Sequence, residues 1–201
     1  MKTPPLADLL LPIPTELAAA DGPAPDVAVI YDLDYLSHAG PGGVRVDNAT
    51  LATLTRVIEG SAKACGALRY VRAGCSTDTA FVHRLALVSA PNNTWQVAAR
   101  RDGADACVIA ELRHLARTRR MRLVILVAGD HAYAAPVADL RAAGIAVWVL
   151  YRAGSLSWRL YQVASSATPL PMGLGLRPQP QERANRSPTV RHAGRPNSFR
   201  G

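Results

Sequence analysis

Lysine is nearly absent from this chain: Lys2 and Lys63 are the only two, and arginine supplies the remaining positive charge. Cysteine is scarce as well. Cys65, Cys75 and Cys107 show neither a Cys-x-x-Cys spacing nor a paired framework, which speaks against a disulfide scaffold and fits a reducing, cytoplasmic setting. The five histidines are not spaced as ligands around those thiols, so a zinc centre is not expected. No apolar run approaches the ~18–20 residues that span a bilayer, so no membrane partner is expected. Leu9-Leu10-Leu11 resembles the core of a signal peptide, but Asp8, Pro12 and Pro14 interrupt it, and secretion is set aside. No internal repeat is evident.

What is present describes a globular protein. A length of 201 residues suits one domain with tails, and 49% hydrophobic against 19% charged residues supports a buried core. The net charge of +8 is unevenly spread. Residues 1–26 hold one lysine against four acids, whereas residues 170–201 hold six arginines against one glutamate. A basic body with a basic tail favours a polyanionic partner, nucleic acid first among them. The plainer alternative is solubility in an arginine-rich background.

Residues 1–25, rich in proline and alanine, read as a flexible arm with a short helix near Thr15–Ala20. Residues 26–168 alternate apolar strands with amphipathic helices. Strands are expected at Val27–Asp32, Leu68–Val71, Trp95–Ala98, Leu123–Val127 and Ala146–Tyr151. Between them, a helix starts at Asn48 behind an Asp47 cap. A second, capped by Ser76 or Thr77, is expected to bury Phe81, Leu85 and Val88. Others span Asp105–Arg117, Ala135–Ala142 (closed by Gly144) and Leu156–Ala164, while His38–Val46 and Pro91-Asn92-Asn93 read as a loop and a turn. Such alternation implies an α/β fold on a mainly parallel sheet. Residues 169–201, dominated by Pro, Gly, Arg and Ser, read as a disordered basic tail.

The chemistry is suggested by where the acids fall. Val27-Ala28-Val29-Ile30-Tyr31 runs into Asp32-Leu33-Asp34, and Leu123–Ala128 runs into Gly129-Asp130. Ligands of open α/β sheets sit outside the carboxyl ends of the strands. Asp105, where a helix opens, is placed to join them. Carboxylates gathered without a lysine or arginine between them repel unless a hard cation such as Mg²⁺ links them. Asp34 either points the same way as Asp32 or sits in solvent. Glu111, six residues past Asp105, is turned by roughly 240° and does not share its face. Arg72 and Arg152 follow strands on the crevice side and are candidates for a phosphate backbone. His131 and Tyr133 are placed to orient a substrate, or in the case of the tyrosine to fill the core. Arg117, Arg119, Arg120 and Arg122 read as cations complementing a helix end.

The ordered set of motifs resembles the NYN domain, a branch of the PIN-like ribonucleases. The residues carrying the resemblance are Val29-Ile30-Tyr31-Asp32-Leu33-Asp34-Tyr35, Asp102-Gly103-Ala104-Asp105-Ala106, Val127-Ala128-Gly129-Asp130-His131-Ala132-Tyr133 and Leu140-Arg141-Ala142-Ala143-Gly144-Ile145-Ala146-Val147. It covers about residues 26–168. It implies a three-layer PIN-like fold around a five-stranded sheet in the order 3-2-1-4-5, with a pocket that binds Mg²⁺ or Mn²⁺ and hydrolyses RNA phosphodiesters. Asp32, Asp105 and Asp130 match the family's metal-binding acids, and Glu111 matches its helix acid loosely.

The chain departs from the family pattern where Gly becomes Leu33, Asn becomes Tyr35, the second acid after Gly129 becomes Ala132, and a late Asp becomes Ser165. Those losses open a second expectation, an RNA-binding or adaptor protein of the same fold without turnover, with a homodimer or protein partner beside RNA. A third is a haloacid-dehalogenase-like phosphatase, since Asp32-Leu33-Asp34 also resembles that family's first motif. The absence of any lysine after residue 63 counts against it.

Overall fold

The computed structural model describes residues 10–17, 24–39, 44–88, 94–98 and 103–171. The expectations for residues 1–9, for the Gly40–Gly43 and Pro91–Asn93 turns, for Arg101 and Asp102, for the burial of Leu85 and Val88, and for the tail from residue 172 lie outside that description.

Six strands form one sheet. They are β1 (Asp26–Asp32), β2 (Ala67–Ser76), β3 (Thr94–Ala98), β4 (Leu123–Val127), β5 (Ala146–Tyr151) and β6 (Ser166–Pro169), in the order β3-β2-β1-β4-β5-β6. Every pairing is parallel. The helices are α1 (Leu33–Ser37), α2 (Asn48–Cys65), α3 (Thr77–Val88), α4 (Gly103–Thr118), α5 (Ala134–Ala142) and α6 (Trp158–Val163). The expected order 3-2-1-4-5 is therefore extended by a sixth strand. Four residues of unremarkable composition, Ser166–Pro169, gain strand geometry only by pairing with β5, a tertiary event that leaves no local pattern. Leu170 beyond it is buried, so the ordered body runs past residue 168.

A strand's side chains alternate faces, and a central parallel strand must be apolar on both. In β1, Val27, Val29 and Tyr31 join one core with α2 residues Leu51, Leu54 and Ile58, and with Trp148. Ala28 and Ile30 join the other with Val108, Leu112, Tyr133 and Leu140. Asp32 continues the parity of Ala28 and Ile30, so its carboxyl is delivered to the α4–α5 side. Phe81 departs from expectation: it is 73% exposed, its helix turning another stripe inward around the buried Thr79 and His83. None of the described helices is long and apolar enough to cross a membrane.

Part of the arm expected to be flexible is docked. Leu11 and Leu17 are buried, and the Leu11 amide donates to Ser61 Oγ at 2.9 Å, which itself donates to the Val57 carbonyl. An alternation of proline and leucine has no periodicity to announce this; the groove beside α2 supplies it. Replacing Ser61 by Ala strands a buried amide, so a loss of about 1–3 kcal/mol is expected in urea unfolding. A change within experimental error would show that the Leu11 segment contributes nothing to stability.

Candidate active site

Asp32 ends β1 and caps the short helix α1. Its Oδ1 accepts from the Tyr35 amide at 2.9 Å and its Oδ2 accepts from the Tyr133 hydroxyl at 2.8 Å. The residue is only 5% exposed. Asp105, in the first turn of α4, accepts from the same Tyr133 hydroxyl at 2.5 Å through Oδ1. Two acids from elements far apart in the chain are thus held on one phenol, their oxygens no further apart than those two hydrogen bonds laid end to end.

A phenol has one proton, and two carboxylates compete for it. Burial pushes the Asp32 carboxyl up to about 6, reinforced by the charges of Asp105 and Asp34 and resisted by the hydrogen bonds from Tyr35 and Tyr133. Burial and the neighbouring Asp32 charge push the Tyr133 hydroxyl well above its ordinary range, so it stays a neutral donor. No lysine or arginine among the described residues forms an ion pair with either acid. This is the like-charge arrangement that ordinarily marks a functional site.

The other expected site residues are placed differently. Asp34 turns to the start of α3, accepting from the Ser76 amide at 3.0 Å and from the Ser76 hydroxyl at 3.0 Å. It joins α1 to the end of β2 and reaches the acid pair only through its charge. Glu111 accepts from the Tyr70 hydroxyl at 2.6 Å and from the Gln96 amide at 3.1 Å, on a different face of α4 from Asp105. It ties α4 to the sheet and does not join the pair. Arg72 is not at a strand end, because β2 runs on to Ser76; its guanidinium stacks on Tyr70 at 4.3 Å and donates to the Val71 carbonyl.

Asp130 is half-exposed. It accepts from the Ala132 amide at 2.8 Å and meets His131 Nδ1 at 2.7 Å, shaping the turn His131–Tyr133 that delivers Tyr133 to the acids. It lines an open cleft of about 360 Å³ with His131, Arg152, Tyr35 and Ser155. Arg152 stacks over Tyr35 at 4.3 Å and donates to the His38 carbonyl at 2.6 Å. Gly129 is needed here for close approach: a Cβ would meet the Tyr35 hydroxyl at 2.6 Å and the Ser155 carbonyl still closer.

The comparisons with known proteins add little. No protein-family model matches the chain, and no curated protein matches it by sequence. A crystal structure of a protein of unknown function from Vibrio parahaemolyticus is similar in structure, with a TM-score of 0.49 and 18% identity over 76% of this chain and 96% of that one. What the site does must therefore be argued from its own geometry.

Two tyrosines hold that geometry together. Tyr35 donates or accepts at Ser155 Oγ (2.6 Å) and accepts from the Arg152 amide (2.7 Å), and Tyr133 bridges the acids. The available signal was chemical: a tyrosine in a core position carries a hydroxyl that must find a partner once buried.

Among the described residues, no three His, Cys, Asp or Glu side chains gather into a metal-holding group. The four-acid set of Asp32, Asp105, Asp130 and Glu111 is not assembled, because the last two are engaged elsewhere. The remaining pair still fits one kind of ion. Mg²⁺ and Mn²⁺ take oxygen donors, and Mg²⁺ in particular is commonly held by one or two carboxylates, with water and substrate phosphate completing the shell.

Proposed function

We propose that this chain is a metal-dependent ribonuclease that cleaves RNA phosphodiesters at the Asp32–Asp105 pair. The observation that carries the reading is that pair itself: two carboxylates, one of them buried at the carboxyl end of the central strand, pressed together with no ion-paired lysine or arginine among the described residues. Its position beyond β1, beside the inner strand β4, is where open α/β sheets bind ligands. The resemblance of the motif order to the NYN branch of the PIN-like fold supports the same reading.

Asp32 and Asp105 would hold Mg²⁺ or Mn²⁺. The ion, when bound, lowers the pKa of a bound water, polarises the phosphate and stabilises the charge that develops on it. The rest falls to the chain. Tyr35 fixes the Asp32 carboxylate through its backbone amide, which donates to Oδ1. Arg152, held flat against Tyr35, and His131 border the cleft that Asp130 lines, and would present positive charge and a donor to the phosphates of an RNA strand there. The excess of arginine adds sequence-independent attraction that salt weakens steeply.

Labelled single-stranded RNA incubated with Mn²⁺, Mg²⁺ or EDTA tests this directly. Cleavage is expected with either metal and not with the chelator. Asp32→Asn and Asp105→Asn should each reduce it by on the order of a hundredfold or more, since even the outer partners of a metal ligand are worth ~10–100-fold. Undiminished cleavage in both variants would sink the assignment.

A second reading has an observation of its own. Tyr133 already sits against both acids and Asp130 is spent on its turn, which suits an RNA-binding protein without turnover. Such a protein would retain RNA in a filter-binding assay, with salt sensitivity, and release no shortened product.

A further inference from the structure

The acid pair has an occupant of its own. Asp32 Oδ1 is committed to the Tyr35 amide, so Oδ2 is the one oxygen of that carboxylate without a backbone partner. The Tyr133 hydroxyl sits on that oxygen at 2.8 Å and on Asp105 Oδ1 at 2.5 Å. An ion shared by these two oxygens would contend with the phenol oxygen for both of them. Tyr133 is fully buried among Val108, Leu112, Val137 and Leu160, on a turn capped by Asp130.

We propose that the Tyr133 hydroxyl is a built-in competitor of the metal, a plug that sits on the acid pair in the absence of an ion and must give up its place against both acids before one can enter. The inference rests on the metal-dependent reading above and adds to it a device that weakens metal affinity. The physical reason is a difference between two states. Without an ion, the hydroxyl is the donor that keeps two adjacent carboxylates tolerable. With an ion, that donor is redundant and its contacts are forfeited. Removing the hydroxyl therefore raises the free energy of the metal-free protein more than that of the loaded one. Hydrogen bonds to charged groups are strong enough for the resulting gain to be on the order of tenfold in affinity. A hydroxyl that merely oriented the carboxylates for the ion would have the opposite effect when removed.

The test is a Mn²⁺ titration, read by the paramagnetic resonance of free Mn²⁺ or by calorimetry, on the full-length wild type, Tyr133→Phe and Tyr133→Phe/Asp105→Asn. Phenylalanine keeps the ring, so core packing is retained, and a melting curve of each metal-free protein checks folding. The expected result is Mn²⁺ binding on the order of tenfold tighter in Tyr133→Phe, lost again in the double variant. Mn²⁺ should also raise the melting temperature of Tyr133→Phe more than that of the wild type. Equal or weaker binding in Tyr133→Phe overturns the plug while leaving the metal reading intact. No binding in either protein at millimolar Mn²⁺ overturns both. Tighter binding in Tyr133→Phe without RNA cleavage supports the plug and removes the nuclease reading alone.

Discussion

Asp32→Asn is expected to melt above the wild type at neutral pH. The folded protein holds the Asp32 carboxyl at about 6, above its ordinary value of 3.8, chiefly because burial disfavours the charge. The folded state therefore binds this proton more tightly than the unfolded chain does. Its stability contribution is fully present below pH ~4 and is lost as pH rises through about 6, leaving a cost on the order of 3 kcal/mol at neutral pH. Asparagine keeps the shape and the Oδ1 acceptor for the Tyr35 amide, and removes the charge. Its amide donates to the Tyr133 oxygen, freeing the phenol proton for Asp105 alone. For a chain of this size the gain corresponds to ~6–12 °C in melting temperature. The diagnostic is the pH dependence: the advantage of Asp32→Asn should be largest above pH 7 and vanish near pH 4. Equal melting temperatures at pH 7.5 would show that the wild-type carboxylate is not strained by its surroundings. A variant that is more stable and unable to hold metal is the trade expected where a functional site is kept at the expense of stability.

Gly74→Ala is expected to do the reverse, destabilising the fold and dispersing the acid pair. Gly74 lies in β2 directly across from Asp32. A Cβ there would come within 2.6 Å of the Ala104 carbonyl and 2.9 Å of Val108 Cγ2, so the first turn of α4 has to move outward. That turn carries Asp105. Glycine inside a strand commonly marks such a close approach. Overpacking of this kind costs about 1–3 kcal/mol, to be read as a lower urea midpoint at unchanged slope. With Asp105 drawn away from Tyr133, Mn²⁺ binding should weaken together with stability. Stability within 0.5 kcal/mol of wild type, roughly the limit for substitutions without such a conflict, would show that α4 gives way freely.

The two substitutions probe different contributions to the same arrangement. One concerns the charge that the sheet forces into a buried position, the other the backbone spacing that lets a helix deliver its partner. Leu11 on Ser61 belongs to neither and should be independent of both, because it docks on the opposite core.

The sequence by itself determined the alternation of strands and helices, because a central parallel strand such as Val27–Tyr31 must be apolar on both faces and an amphipathic helix must repeat near 3.6 residues. It also determined that Asp32 falls at a strand's carboxyl end, but not its burial: a charge directly after five apolar residues is expected to leave the core, whereas the fold keeps this one only 5% exposed. What it left open were directions and partners. Asp34, two residues on, shares Asp32's apparent parity, but the chain has already turned into α1, and its carboxylate goes to Ser76 instead. Arg72 was placed at the crevice only because β2 was expected to stop at Val71, whereas pairing with β1 and β3 carries it to Ser76. β6 exists by virtue of β5, and the docked Leu11 segment by virtue of α2. Most of all, the meeting of Asp32, Asp105 and Tyr133 was decided in three dimensions, since 101 residues separate the first from the last and no local rule couples them. Hydrophobic periodicity is a property of neighbours along the chain, while a shared proton is a property of neighbours in space.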